Sequence, residues 1–209
     1  SNLLSLRSWT VAALIVAFLL IAACSEPAVA EFSVTSNSGN APFDVSFTLG
    51  ENADADSFSW DFGDGGGSTE LAPSHTFQDA GTFTVRLTAT RGDSVSSADT
   101  DITVEAGEAG WVVLDGGQES ISSFESTQYT ATAFDVLGNP IQNPDFNWIV
   151  DLAAGDIDES GKFTAGTELG EFENAISVEF ERLGVVVSQD VNIEVIKGPL
   201  HAFSISPTT

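Results

Sequence analysis

The run Ser57-Phe58-Ser59-Trp60-Asp61-Phe62, closed by Gly63-Asp64-Gly65-Gly66-Gly67, constrains this chain more than any other stretch. Phe58, Trp60 and Phe62 alternate with Ser57, Ser59 and Asp61, so a strand here buries one face and exposes the other. The glycines then allow backbone conformations that a Cβ resists, and the strand runs into a tight turn.

The same period of two recurs along the chain. Phe32 and Val34 open it, and Phe43, Val45, Phe47 and Leu49 continue it after the Asn37 to Pro42 turn. Beyond the polar break from Glu51 to Asp56, Phe83, Val85, Leu87 and Ala89 face inward while Thr82, Thr84, Arg86 and Thr88 face outward, and Ile102 and Val104 close the series. A second series starts at Trp111 and Val113, passes through Phe146, Trp148 and Val150, and closes with Ala175 to Phe180 and Val185 to Ile196. No amphipathic helical pattern competes with it after the N-terminal apolar run. Short alternating strands separated by turn clusters indicate an all-β chain, and 209 residues suit two sandwiches of roughly 80 to 100 residues each. The expected architecture is two tandem immunoglobulin-like β-sandwiches after an N-terminal signal helix.

Residues 31–106 carry the first resemblance. Trp60-Asp61-Phe62-Gly63-Asp64-Gly65, then His75-Thr76-Phe77, then Gly81-Thr82-Phe83-Thr84-Val85-Arg86-Leu87, resemble the signature of the PKD domain. That resemblance implies a small immunoglobulin-like sandwich used as a spacer or interaction module in extracellular proteins, with Trp60, Asp61, Gly63, Asp64 and Gly65 as its structural motif. Phe77 and Phe83 stand where the family carries tyrosines, so hydrogen bonds worth about 1 kcal/mol each are expected to be missing while the rings still fill the core. Asp61, Asp64 and His75 together invite an acid–base or metal reading. The resemblance assigns them instead to a turn and a strand edge, with the Asp side chains capping backbone N–H groups.

Residues 107–197 carry the second. Gly138-Asn139-Pro140-Ile141, the strand residue Trp148 and the run from Ile157 through Gly161 and Phe163 to Thr167 resemble bacterial Ig-like domains of the invasin and intimin type (group 2). Trp148, Gly161 and Phe163 are its structural motif residues. Gly107-Glu108-Ala109-Gly110 reads as a short flexible linker that permits bending unless an interface or ion stiffens it. Asp156, Asp158, Ser160 and Gly161 match the first half of an EF-hand calcium loop, but position twelve is Thr167 and the flanks are strand-like. Weak calcium binding by Asp54, Asp56, Asp156 and Asp158 is the remaining cofactor reading of those carboxylates, beside that of a solvated β-turn.

The start of the chain suggests export. Arg7 precedes an apolar run from Val11 to Ala23, and Ile21-Ala22-Ala23-Cys24 resembles the bacterial lipobox. The resemblance implies a lipoprotein signal peptide over residues 1–23, lipidation of Cys24 and a tether over 24–30. Several acyl chains on one residue give stable membrane anchoring. Ser25 in place of Asp resembles the outer-membrane sorting pattern of Gram-negative envelopes. Cleavage after Ala30 is the alternative and yields a secreted form. Residues 198–209, with Phe203 and Ile205 alternating, resemble the start of a further Ig-like repeat.

Composition narrows the partners. Thirty-one acidic side chains against six basic ones give a formal charge of −25, which opposes binding to nucleic acid. A single cysteine forbids an internal disulfide, so each sandwich rests on its own core. The sequence thus suggests a non-enzymatic surface lipoprotein. Its stalk is suited to adhesion or to an extracellular protein or polysaccharide, and its membrane contact is the lipid on Cys24. The alternative is a set of accessory modules of a polysaccharide- or peptide-degrading enzyme whose catalytic domain lies elsewhere. Direct carbohydrate binding needs a row of exposed aromatics, and Trp111 is the one Trp outside both the core pattern and the signal peptide.

Overall fold

The computed structural model describes residues 26–198, and they form an all-β structure of sixteen strands. The signal peptide expected over residues 1–23, the lipidation expected at Cys24 and the further repeat expected over 198–209 fall on residues 1–25 and 199–209, which lie outside the described residues.

The first sandwich uses β1 (Phe32–Val34), β2 (Ser38–Asn40), β3 (Phe43–Leu49), β4 (Ser57–Asp61), β5 (Gly67–Ser68), β6 (Ser74–Phe77), β7 (Gly81–Arg91) and β8 (Ser94–Glu105). One sheet has the order β1-β3-β6 and the other β2-β8-β7-β4-β5. The second sandwich uses β9 (Ala109–Gly116), β10 (Ser120–Ser122), β11 (Ser126–Asp135), β12 (Asn147–Val150), β13 (Gly155–Ile157), β14 (Lys162–Ala165), β15 (Gly170–Arg182) and β16 (Val185–Ile196). Its sheets have the orders β13-β14-β11-β9 and β10-β16-β15-β12.

The two orders superimpose strand for strand except at one place. The short fifth strand β5 extends the sheet of β4, whereas its counterpart β13 pairs with β14 in the opposite sheet. Both sandwiches pair a short early strand parallel to the end of their last strand, β2 with β8 and β10 with β16.

Alternation becomes burial in both except along β9, where Val112 is buried and Trp111 exposed, so the face expected from Trp111 and Val113 is the outer one. In the first sandwich Val45, Phe47, Trp60, Phe62, Phe77, Val85, Leu87, Ile102 and Val104 form one core, with Phe32, Phe43, Phe58 and Phe83 packed on it. The rings meet edge-on or tilted, as aromatic quadrupoles prefer: Phe32 lies 5.1 Å from Trp60 and Phe47 5.2 Å from Phe62. Phe77 and Phe83 stack on each other at 5.0 Å. The second sandwich divides its interior. Ile121, Tyr129, Phe163, Ile176, Ile193 and Val195 fill the end away from the first sandwich. Val112, Ala133, Ile141, Val178 and Phe180 fill the near end together with Ala106 and Ala109.

Candidate functional site: the joint between the two sandwiches

The Gly-rich turn after Trp60 is a structural corner. The Gly63 N–H donates to Asp61 Oδ1 and the Gly66 N–H to Asp64 Oδ1, both at 2.9 Å. Asp64 Oδ2 faces His75 Nε2 at 2.6 Å, and the His75 ring stacks on Phe62 at 4.2 Å. Burial pushes the Asp64 carboxyl up, but the hydrogen bonds from His75 and Gly66 outweigh it and hold the group below its ordinary value. Gly63 has φ +83°, and a Cβ there would sit 2.7 Å from the Thr84 carbonyl oxygen, which makes glycine the residue for this position. Gly65 follows in the same turn. Trp60 is buried beneath it and donates from Nε1 to the Glu70 carbonyl at 2.9 Å.

The acidic candidates for calcium are dispersed. Asp54 pairs with the Arg91 guanidinium, and Asp56 lies 3.6 Å from Arg91 Nε. That pairing ties the end of β7 to the Asp54–Asp56 segment. In the second sandwich, Asp158 Oδ1 accepts from Ser160 Oγ at 2.6 Å and from the N–H groups of Ser160 and Lys162, which folds the Asp158–Lys162 turn. Asp156 points outward from β13. Among the described residues, no group of three or more His, Cys, Asp or Glu side chains is placed to hold a metal ion. Gly161 and Phe163 flank the start of β14, and Phe163 is fully buried in the far core beside Trp148. Trp111 is 44% exposed and stacks on Phe134 at 5.4 Å, an aromatic pair instead of a row.

Polar groups converge most densely where the two sandwiches meet. Asp135, at the end of β11, is fully buried and accepts four hydrogen bonds. The N–H groups of Leu137 (2.9 Å) and Asn139 (2.8 Å) donate to Oδ1, and the Gly107 N–H and the Asn139 side-chain amide donate to Oδ2, both at 2.8 Å. A buried carboxylate persists only when its lone pairs are met in this way. Burial raises the Asp135 pKa, and these four donors more than offset it, leaving the group below the ordinary Asp value.

Asn139 carries the network across to the first sandwich. Its Oδ1 accepts from the Ala80 N–H at 2.9 Å, and its Nδ2 donates to the Gln78 carbonyl at 2.9 Å. Opposite it, Arg182 at the end of β15 donates from Nε and Nη2 to the Ala106 carbonyl and from Nε to the Gly107 carbonyl. Its Nη2 also reaches Glu105 Oε2 at 3.2 Å. Between these clamps the crossing segment is packed. Ala106 and Ala109 are buried, Ala80 packs on the near core of the second sandwich, and a Cβ on Gly107 would run into the Ala41 carbonyl oxygen. The flexible linker expected over Gly107–Gly110 is therefore a fixed joint. Ala109 and Gly110 already belong to β9, and an interface supplies the stiffness. An open cleft of about 590 Å³ runs along this joint, bordered by Thr82, Glu105, Gln142, Asn143 and Arg182.

Sequence pattern does not single out Asp135, Asn139 and Arg182 as a group. It does hold one signal: Tyr129, Ala131 and Ala133 point inward along β11, and the next inward position is a carboxylate. A charge there demands a set of donors.

Comparison with known proteins agrees with the first sandwich. The PKD domain family matches residues 25–106. The PKD1 domain of the Vibrio cholerae metalloprotease PrtV is 30% identical, over 37% of this chain and 96% of that one, with a TM-score of 0.32. The PKD1 domain of Vibrio anguillarum Epp is also 30% identical, over 39% and 98%, with a TM-score of 0.33. The Escherichia coli adhesin FdeC is 17% identical, over 80% and 64%, with a TM-score of 0.43. No curated protein matches the chain. With its signature turn, the family match and the two 30% identical relatives coinciding on one stretch, the first sandwich of this chain is a PKD domain.

Proposed function

We propose that the chain is a non-enzymatic cell-surface lipoprotein, held to a membrane by lipid on Cys24 and projecting its two sandwiches as a stalk for contact with an extracellular protein or polysaccharide. The observation that carries this reading is the joint. Asp135, Asn139 and Arg182 spend buried polar contacts on fixing one sandwich against the next, which serves a spacer that must hold a direction. PKD and Ig-like domains are usually non-catalytic modules of surface or extracellular proteins, and the PKD match supports the same setting. The net charge of −25 keeps such a stalk soluble and away from polyanions.

The test is intact mass spectrometry with membrane fractionation of the full-length gene product in a bacterial host, with Cys24→Ala alongside. A mature N-terminus at Cys24 carrying lipid, lost on substitution, is the expected result. A soluble product beginning at Glu31 and unaffected by the substitution overturns the anchor and favours the reading as a secreted accessory module.

A further inference from the structure

The exposed large apolar side chains of this chain are spread over both sandwiches, as on any folded surface, but one group of them is held together by contacts. Trp111 and Phe134 stand opposite each other on the outer face of the β9–β11 pair, and their rings stack at 5.4 Å with 17° between their planes. Gly138 lies against the indole, where a Cβ would touch Trp111 Cη2 at 3.7 Å. Val136 and Leu137 fill the turn between Phe134 and Gly138, with 55% and 46% of their surface exposed.

Hydrogen bonds fix this turn. The Val136 N–H donates to the Glu108 carbonyl at 3.2 Å and the Gly138 N–H to the Asp135 carbonyl at 3.1 Å, while the Asp135 carboxylate accepts from the N–H groups of Leu137 and Asn139. A partner would therefore have little left to order on this side. Neither core uses the indole, since Trp111 belongs to none of the buried clusters.

Charge decides what suits the patch. Every ion pair among the described residues takes its carboxylate from residues up to Glu105: Asp54, Asp56, Asp64, Asp99 and Glu105 itself. No described carboxylate of the second sandwich is in an ion pair, and two of them, Glu108 and Asp115, are exposed before and after Trp111 along the chain. A second copy of the chain, also at −25, is repelled, and so is a polyanion. A row of rings would follow a polysaccharide, whereas a single stacked pair has room for one planar side chain. Arginine answers both features, because its guanidinium stacks on an aromatic face and carries the charge that these carboxylates lack.

We infer that Trp111, Phe134, Val136 and Leu137 form a docking surface for a basic segment of an extracellular protein, with an arginine of that segment laid on the Trp111 indole. The inference narrows the surface-contact reading to a protein partner and rests on that part of it, not on lipid at Cys24.

The probe is a labelled peptide of alternating arginine and serine, titrated into the full-length gene product at physiological salt, where exposed charges are screened. Trp111→Ala should weaken binding roughly tenfold or more, Trp111→Phe should restore most of it, and the peptide with lysine in place of arginine should bind more weakly. Leu137→Ser, at a side chain outside every buried cluster, should weaken binding severalfold and keeps the test decisive if Trp111→Ala fails to fold. Glu171→Gln removes one charge from the other sheet and should leave binding unchanged. Equal binding by the native chain and by both Trp111→Ala and Leu137→Ser overturns the inference, since net charge alone then attracts the peptide. Displacement of the peptide by cellohexaose overturns it in favour of a sugar, and self-association that is lost in Trp111→Ala overturns it in favour of a second copy. None of these substitutions touches the mass-spectrometric test at Cys24, so the anchor and this surface fail separately.

Discussion

The two sandwiches share a strand order but not a way of being stable. The first is a single core dominated by aromatic rings, complete within its own sheets. The second splits its interior into a self-contained far half and a near half that incorporates Ala106 and rests against Ala80, both contributed from the first sandwich's side of the joint. Its near end also closes only when Gly107 donates to Asp135. Dependence therefore runs mainly one way: the second sandwich leans on the first. Nearly the same strand order can yield an autonomous unit or a dependent one, according to what covers its near end.

Substitutions can break this asymmetry. Phe47→Ala empties a fully buried site among the rings of Phe32, Trp60 and Phe62 and should cost about 4 kcal/mol, read as early loss of tryptophan fluorescence on heating. If the second sandwich then retains most of its own transition, its far core is as self-contained as its packing suggests. Asp135→Ala strands four N–H groups at once and should cost about 3 kcal/mol, confined to the second sandwich and the joint, as amide hydrogen exchange would resolve. An equal loss of protection in the first sandwich would refute the one-way dependence. Acid should act on the same group. The folded-state pKa of Asp135 is depressed, so its contribution is complete above the ordinary Asp value of about 3.9 and is lost as pH falls through the lower folded value. The joint should therefore hold at neutral pH and loosen only in strong acid, and small-angle scattering across a pH series would show it. Arg182→Ala removes charged donors to the Ala106 and Gly107 carbonyls and should cost about 1 kcal/mol, mostly as a broader distribution of interdomain angles. Arg86→Ala breaks a solvent-exposed pair with Asp99 and should leave the melting temperature unchanged within error, since water and salt screen such pairs.

Burial on one face writes itself into sequence as alternation, which is why β3, β4, β7 and β16 are legible from Val45, Trp60, Val85 and Ile193. The Gly63–Gly67 turn is legible for a similar reason, because its Asp caps act two residues away. Strands β5 and β13 are not, since two or three residues carry no period. The joint is hidden for a different reason. Gly107 meets Asp135 across 28 residues, and Ala80 meets Asn139 across 59, so no local pattern records the contact. Alanine at 106 and 109 gives no hint either, because a linker and a tightly packed crossing both favour small residues.

The parallel pairing of β2 with β8, and of β10 with β16, bears on how two such sandwiches in series carry load. A pull along the molecule draws the early strand of each sandwich one way and its last strand the other, so the hydrogen bonds between them are loaded together, in shear, instead of parting one after another like a zip. The same two pairs sit at the ends of β8 and β16, so tension leaving a sandwich through its last strand loads them in shear. Flow or a tugging partner would thus be resisted by backbone geometry, with no need for a disulfide that this chain, with its single cysteine, cannot form.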